Sequence, residues 1–160
     1  MRPSPPDDEA QALGRLYDAH APTLYCYALM LLAHPPAAED VVQDVFTGLV
    51  GRVLPDDPLP YLRTSVRNGC YTRMRRRLRW DMCELPLLES ASPDVVDAVE
   101  RVTLERALRA LPPEQREVVH LHVYEGWTFR EVAEMSGESI NTIASRYRYA
   151  LARMRKELTP

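Results

Sequence analysis

A segment in the last third of the chain combines two helix-start signals with a residue suited to a tight turn. Thr128 and Glu131 are spaced as a capping box, in which each side chain satisfies a backbone N–H at the beginning of a helix. Gly137 suits the left-handed position that ends such a helix. Ser139 is placed to cap a second helix, which apolar periodicity predicts over residues 140–158. The segment is therefore predicted to form a helix–turn–helix.

The second helix of this motif has a polar face whose chemistry suits a polyanion. No acidic residue occurs between positions 139 and 156. A helix about 10–12 Å across fits the major groove of duplex DNA, where side chains reach the base edges. The polar face consists of Asn141, Thr142, Ser145, Arg146, Arg148, Tyr149 and Arg153. We therefore expect duplex DNA to be a ligand of this helix.

Charge is distributed unevenly along the chain, although the net charge is only −3. Residues 61–80 contain seven arginines and no acid, and residues 139–156 contain five basic residues and no acid. Residues 1–60 contain nine acids and three arginines, and residues 81–138 contain thirteen acids and five arginines. Two basic blocks in an otherwise acidic protein indicate two contacts with one polyanion. The alternative is that the arginines near residue 73–79 only cap a helix end, where its dipole favours cations.

The elements that must position these residues are predicted to be almost entirely helical. Pro22 is expected to kink or break the first helix, and Cys26 is expected to be a small core residue of that helix. Within the second helix, Phe46 is expected in the core. The predicted helices before the helix–turn–helix cover residues 13–33, 37–50, 61–79, 93–111 and 113–126.

The predicted fold class is all-α, with two small helical domains and a helix–turn–helix in the C-terminal one. The first domain is expected over residues 10–80 and the second over 93–160. Residues 81–92 are acidic and contain Pro86, which favours a linker.

Composition argues against several other functions. No run of about 18 apolar residues is present that would predict a membrane span, and the start of the chain lacks the apolar core of a signal peptide. The three cysteines lack paired metal-ligand spacing and fit a reducing cytoplasm. His120 and His122 are two residues apart on a predicted helix and form a poor metal pair. We expect no catalytic residue, no metal and no cofactor.

Several stretches resemble one protein family, in the right order and over roughly residues 13–158. The C-terminal stretches 111–119 (LPPEQREVV), 125–134 (EGWTFREVAE) and 141–155 (NTIASRYRYALARMR) resemble the second domain of small bacterial RNA polymerase sigma factors. These are the extracytoplasmic-function sigma factors. Residues 38–46 (AEDVVQDVF) resemble the helix that docks on the polymerase clamp, and residues 61–80 resemble the promoter-melting helix.

The resemblance implies a role for each domain in promoter-specific transcription initiation. The C-terminal domain would bind the −35 element with Thr142, Ser145, Arg148 and Tyr149 toward the bases and Arg146 and Arg153 nearer phosphate. The N-terminal domain would open the −10 element and hold a flipped base. Its implied DNA-contacting residues are Tyr61, Arg67, Asn68, Arg73, Arg75, Arg76 and Arg77. Many relatives have basic residues at the positions of Ala144 and Tyr149, and bulkier or basic ones at Thr64, Ser65 and Gly69.

The implied partners are core RNA polymerase, duplex and melted promoter DNA, and an anti-sigma factor as a frequent regulator. Asp40, Gln43 and Asp44 would contact polymerase arginines through charge-assisted hydrogen bonds. Two other interpretations stay open on the sequence. One is a stand-alone helix–turn–helix regulator that binds a palindrome as a dimer. The other is a degenerate sigma-like protein that binds polymerase or an anti-sigma factor without starting transcription.

Overall fold

A computed structural model describes residues 6–76 and 98–159. The chain separates into two compact units, Met1–Asp81 and Met82–Pro160. The described residues contain no strand, so the predicted all-α class is confirmed. The predicted linker, 81–92, and the predicted helix start at residue 93 lie outside the described residues. The α-helices are α1 Pro6–Leu32, α2 Pro35–Thr47, α3 Leu59–Arg76, α4 Ala98–Arg109, α5 Pro113–Val119, α6 Phe129–Ser136 and α7 Ile140–Leu158.

The first unit is a bundle of α1, α2 and α3 around an apolar core. Leu24, Tyr27 and Leu31 recur on one side of α1 at helical spacing and are fully buried. Phe46 of α2 is also buried and lies edge-on to the ring of Tyr17, with 4.9 Å between the ring centroids. The predicted core position of Phe46 is therefore confirmed. This core holds α2 and α3, which bear the predicted polymerase-binding and −10 residues, side by side.

Pro22 does not break α1, and the expected core position of Cys26 is wrong. The helix runs unbroken through Pro22, which is exposed. A proline removes one hydrogen bond to the preceding turn, and on an exposed face water can satisfy the freed carbonyl group. Cys26 is exposed and not part of the core, since it lies two residues from both Leu24 and Ala28 and so on the opposite side of the helix.

Gly69 allows α3 to approach α2 closely. A Cβ atom at this position would lie 2.9 Å from Cγ1 of Val41, whose branched side chain cannot easily move away. We expect Gly69→Ala to lower the free energy of unfolding by about 1 kcal/mol, because overpacking outweighs the gain in helix propensity. Gly14→Ala is the control, since nothing lies within 4 Å of a Cβ there, and it should stabilise α1 slightly. Urea denaturation followed by circular dichroism tests both, and equal stability of the two variants would contradict the close contact.

The second unit is formed by α4, α5, α6 and α7 with a π-helical turn. Its buried apolar residues include Leu108, Leu111, Val118, Leu121 and Ile143. The predicted helix 113–126 is α-helical only to Val119 and continues as a π-helical turn, His120–Tyr124. None of the helices in the described part of the chain is long and apolar enough to cross a membrane.

The π-helical turn connects α5 to the helix–turn–helix. His122 Nδ1 lies 2.6 Å from the carbonyl oxygen of Trp127. The ring of His122 contacts Phe129 of α6 at 4.4 Å and Tyr147 of α7 at 5.0 Å between centroids. Tyr147, which is half-buried, thus packs against its own unit. This aromatic cluster fixes both helices of the motif against the turn.

Candidate nucleic-acid and polymerase interfaces

The predicted helix–turn–helix is present, and local hydrogen bonds define its ends. Thr128 caps α6, and its hydroxyl oxygen accepts a hydrogen bond from the backbone N–H of Glu131 at 3.2 Å. The Glu131 carboxylate in turn accepts from the backbone N–H of Thr128 at 2.7 Å. Gly137 ends α6 with φ at +71°, and Ser139 caps α7 by accepting from the N–H of Thr142 at 3.1 Å. The turn geometry that the sequence predicts is therefore confirmed.

The capping box makes the stability of this unit depend on pH. The backbone N–H of Thr128, and then its hydroxyl group, lower the pKa of Glu131 below the ordinary value of 4.5. A lowered pKa contributes stability that is present above pH 4.5 and is lost as pH falls through the folded-state pKa. Compared with Glu131→Gln, which keeps an acceptor but does not titrate, the wild type should be more stable at neutral pH. Thermal unfolding at a series of pH values should show the two converging in acid; a constant difference would contradict the linkage.

The exposed side of α7 displays the predicted −35 residues. Arg148, Tyr149 and Arg153 are exposed, while Thr142, Ser145 and Arg146 are half-buried. Ile143 and Ala150 are buried on the other side and hold the helix to its unit. Of the six predicted side chains, three thus face solvent and three lie between the exposed and the buried side of α7.

Several of these side chains are held by neighbours within the same unit. The Arg148 guanidinium donates to Ser145 Oγ at 3.1 Å, one turn earlier on α7. The hydroxyl groups of Ser139 and Thr142 lie 2.9 Å apart. Such bonds restrict rotamers before any ligand arrives and so reduce the entropy lost on binding.

The predicted −10 residues occupy α3 unevenly. Tyr61 and Asn68 are exposed and lie seven residues apart, so both project from the same side of the helix. Arg75 continues this stripe, and the Arg67 guanidinium lies over the ring of Tyr71, 4.5 Å from its centroid. Aromatic rings and arginines are the side chains on which single-stranded bases stack, and the Tyr61 ring is exposed whereas the Tyr71 ring is half-buried. Arg76 is exposed at the end of α3, and Arg77 lies outside the described residues.

Arg73 is on a different side of α3 from this stripe. Five residues after Asn68, it is rotated by roughly 140° around the helix axis and faces α2. Its Nη2 atom lies 3.1 Å from Asp44 Oδ2, and its Nη1 atom lies 3.7 Å from Asp40 Oδ2. The structure therefore brings a predicted DNA contact together with two of the three predicted polymerase contacts.

The acidic face of α2 is nevertheless accessible. The side chains of Asp40 and Asp44 are 61% and 76% exposed, and Gln43 between them is exposed as well. Gln43 also lines a groove of about 480 Å³ between α1 and α2, together with Tyr17, Pro22 and Tyr25. All three predicted polymerase contacts thus lie on the solvent-facing side of the bundle, where a cationic partner can reach them.

Two contacts made by charged side chains were not predicted from the sequence. Arg63 is buried in the core of the first unit, with its guanidinium carbon 5.0 Å from the centroid of the Tyr27 ring. Arg63 lies on the same side of α3 as Leu62 and Val66, so its burial could have been predicted from the helical periodicity. The second is Glu138, in the turn of the helix–turn–helix, which accepts a hydrogen bond from Arg146 at 2.9 Å.

Comparison with known proteins follows this division into two units. Residues 16–80 match the sigma-70 region 2 family, and residues 101–154 match the sigma-70 region 4 family. The sigma factor SigL of Mycobacterium tuberculosis is 33% identical, over 94% of this chain and 90% of the relative. CarQ of Myxococcus xanthus is 30% identical, over 83% of this chain and 81% of the relative. The structure of Bartonella quintana RpoE, solved with the anti-sigma factor NepR, aligns with a TM-score of 0.71 at 24% identity, over 92% of this chain and 97% of that one.

The two sigma-70 regions, in this order along the chain, define a DNA-binding transcription factor. The chain belongs to the sigma-70 family, in its extracytoplasmic-function group of RNA polymerase sigma factors. Its function is promoter-specific transcription initiation with RNA polymerase. The predicted class of protein is thereby confirmed, and this family is not one of stand-alone helix–turn–helix regulators.

Proposed function

We propose that the second unit reads the −35 duplex through α7. Arg148 and Tyr149 are the exposed side chains at the middle of the helix and would reach base edges, with Thr142 and Ser145 beside them. Arg146 and Arg153, at the flank of this surface, would contact phosphates. The observation that carries this assignment is a capped recognition helix with five basic residues and no acid over positions 140–156.

The first unit is proposed to open the −10 element with α3. Tyr61 and Asn68 would hold a base that has left the stack, and Arg67, positioned over Tyr71, would support it. Unstacking a base costs a few kcal/mol, which aromatic stacking and hydrogen bonds to the exposed base edge offset. The remaining arginines at the end of this region would contact the backbone: Arg73, Arg75, Arg76 and Arg77.

The acidic face of α2 is proposed as the contact with core RNA polymerase. Asp40, Gln43 and Asp44 lie within about one helical turn and are accessible together. Arginines are the partners that best match carboxylates and amide oxygens in such a contact. Holding both units on one polymerase would raise the effective concentration of two individually weak DNA sites.

The remaining parts of the assignment follow from this mechanism. We infer that the protein binds but does not itself catalyse a reaction, that it needs no cofactor, and that it acts in the cytoplasm. An anti-sigma factor is a further partner class, as it is for the Bartonella quintana protein. The proposed domains are residues 10–80 and 93–160, with 81–92 as the linker.

Two separate DNA probes test the division of labour. One probe is a duplex that carries only the −35 element, and the other is a forked DNA with a single-stranded −10 element. The complex of core polymerase with this protein (the holoenzyme) should bind the −35 duplex weakly and the forked DNA normally when residues of α7 are changed. Changes at Tyr61 and Asn68 should weaken binding to the forked DNA and leave binding to the −35 duplex normal. Loss of binding to both probes by either set, in folded variants, would contradict the assignment.

A further inference from the structure

An acidic side chain lies at the edge of the proposed −35 surface. Glu138 precedes the Ser139 cap, and its Oε1 atom lies 2.9 Å from Arg146 Nη2. The two side chains are 40% and 23% exposed, respectively. No other acid occurs in the stretch 138–156. Glu138 therefore stands at the edge of a basic surface and is paired with one of its arginines.

We propose that Glu138 is a specificity-determining residue that makes this surface discriminate against DNA without a promoter. The inference rests on the proposed −35 role of α7. Binding to non-specific DNA comes almost entirely from phosphate contacts, whereas base contacts add sequence preference. The Glu138 carboxylate neutralises the charge of Arg146 and occupies part of its guanidinium group, so that Arg146 is a weaker phosphate contact. The ion pair therefore weakens non-specific binding, which depends on phosphate contacts alone, more than it weakens promoter binding.

The ion pair also fixes the direction of Arg146. A guanidinium is planar, and a partner on one N–H edge leaves the remaining N–H groups pointing along a defined direction. A contact between Arg146 and a promoter phosphate would use these remaining N–H groups. Glu138 is thus a positioning residue, which acts through Arg146 and not by contact with DNA.

Glu138→Gln in holoenzyme tests the proposal. Anisotropy titrations against a promoter duplex and a scrambled duplex of equal length, at several salt concentrations, measure both affinities. We expect the affinity for scrambled DNA to rise about three- to tenfold. The slope of log affinity against log salt concentration should become more negative by about one, the value for one additional phosphate contact. Promoter affinity should rise less, so the ratio of the two affinities should fall at least about threefold.

Two further variants separate this role from a general charge effect. Glu157→Gln removes the same charge at the far end of α7 and should leave the ratio unchanged. In an Arg146→Gln background, Glu138→Gln should no longer alter the ratio. An unchanged ratio in Glu138→Gln, or an equal change in Glu157→Gln, would overturn the proposal. If the wild-type holoenzyme itself fails to distinguish the two duplexes, the proposed −35 function fails instead.

A second, independent observation concerns Arg73 in the first unit. It joins Asp40 and Asp44, one turn apart on α2, to the end of α3. The three side chains are all accessible, with Arg73 32% exposed. Asp40 and Asp44 are proposed to bind polymerase, and Arg73 is proposed to bind DNA. One ion-pair network thus contains charges that two different partners require.

We infer that this network couples polymerase binding to DNA binding. A cationic surface of polymerase competes with Arg73 for the two carboxylates and is repelled by its charge. Docking therefore releases the guanidinium, which becomes available to a phosphate of the melted strand. By linkage, the coupling works equally in both directions, so DNA that engages Arg73 also favours polymerase docking.

Arg73→Gln distinguishes coupling from a simple phosphate contact. We expect the variant to bind core polymerase about two- to fivefold more tightly. Loss of an exposed ion pair costs the fold little stability, and it removes a competitor for the carboxylates of Asp40 and Asp44. Affinity for a single-stranded −10 oligonucleotide should fall in the holoenzyme but not in the free chain. Arg76→Gln is the control, since this exposed arginine should contribute similarly in both states.

Two results would overturn the coupling. One is weaker polymerase binding by Arg73→Gln, which would mean that Arg73 only supports the acidic face. The other is an equal loss of oligonucleotide affinity in the free chain and the holoenzyme. Failure of the wild-type chain to bind polymerase at all would instead contradict the proposed function of α2.

Discussion

Replacing Asp40 and Gln43 together with alanine is expected to reduce affinity for core RNA polymerase by about 100-fold. Removing one partner of a buried hydrogen bond costs about 1–3 kcal/mol, in part because the group on the other side is left unpaired. Two such losses at the lower end of this range give the 100-fold effect, which corresponds to about 2.7 kcal/mol. Both side chains are exposed on α2 and lie outside the buried core of the unit, so the fold should be retained. Titration of fluorescently labelled protein with core polymerase measures the effect.

The control for this variant is Asp56→Ala, which removes an exposed acid from the loop between α2 and α3. It should bind polymerase like the wild type, because long-range attraction between exposed charges is largely screened at physiological salt. Helical circular dichroism must be unchanged in both proteins. Retention of wild-type affinity by the folded double variant would contradict a docking role for the acidic face.

Arg148→Ala should weaken promoter binding by the holoenzyme about 10- to 100-fold while polymerase affinity is unchanged. A bidentate contact between an arginine and a base contributes about 1–3 kcal/mol of discrimination. Arg148 is exposed at the middle of α7, and its contact with Ser145 holds it in place for such an interaction. Competition titrations with promoters changed at single −35 positions should also show relaxed preference at one position.

Arg155→Ala provides the comparison, since this arginine lies in the last turn of α7. As a phosphate contact or a solvated helix end, it should weaken binding slightly and to the same extent on all sequences. If Arg148→Ala lowers affinity uniformly as well, without a change in base preference, Arg148 contacts only the backbone. That result would contradict the proposed base contact.

The helix–turn–helix could be predicted from sequence because its determinants are local. The capping box at Thr128 and Glu131, the left-handed Gly137 and the Ser139 cap each involve atoms four residues apart or fewer. Such hydrogen bonds form whenever the segment is helical, so residue type and spacing suffice to identify them. The same reasoning explains the close agreement for the start of α7.

The contacts that the sequence did not predict depend on tertiary packing. Arg73 meets Asp44 across 29 positions, and only the packing of α3 on α2 at Gly69 brings them together. Cys26 was misplaced because an apolar stretch does not reveal which side of α1 faces the core. The continuity of α1 through Pro22 could not be predicted, because the cost of a lost hydrogen bond depends on exposure, which requires the surrounding structure. A helical-wheel comparison with Leu24 and Ala28 would have predicted the exposed position of Cys26.

The most direct test of the account is transcription of fragmented DNA from the source genome by core polymerase, with and without this protein. Mapping the RNA 5′ ends shows where transcription starts. We predict new starts, present only with the protein, that share two upstream motifs at a constant spacing, and that disappear with the Asp40→Ala, Gln43→Ala double variant. Measurable polymerase binding without any new start would contradict a promoter-directing role and favour a degenerate sigma-like protein.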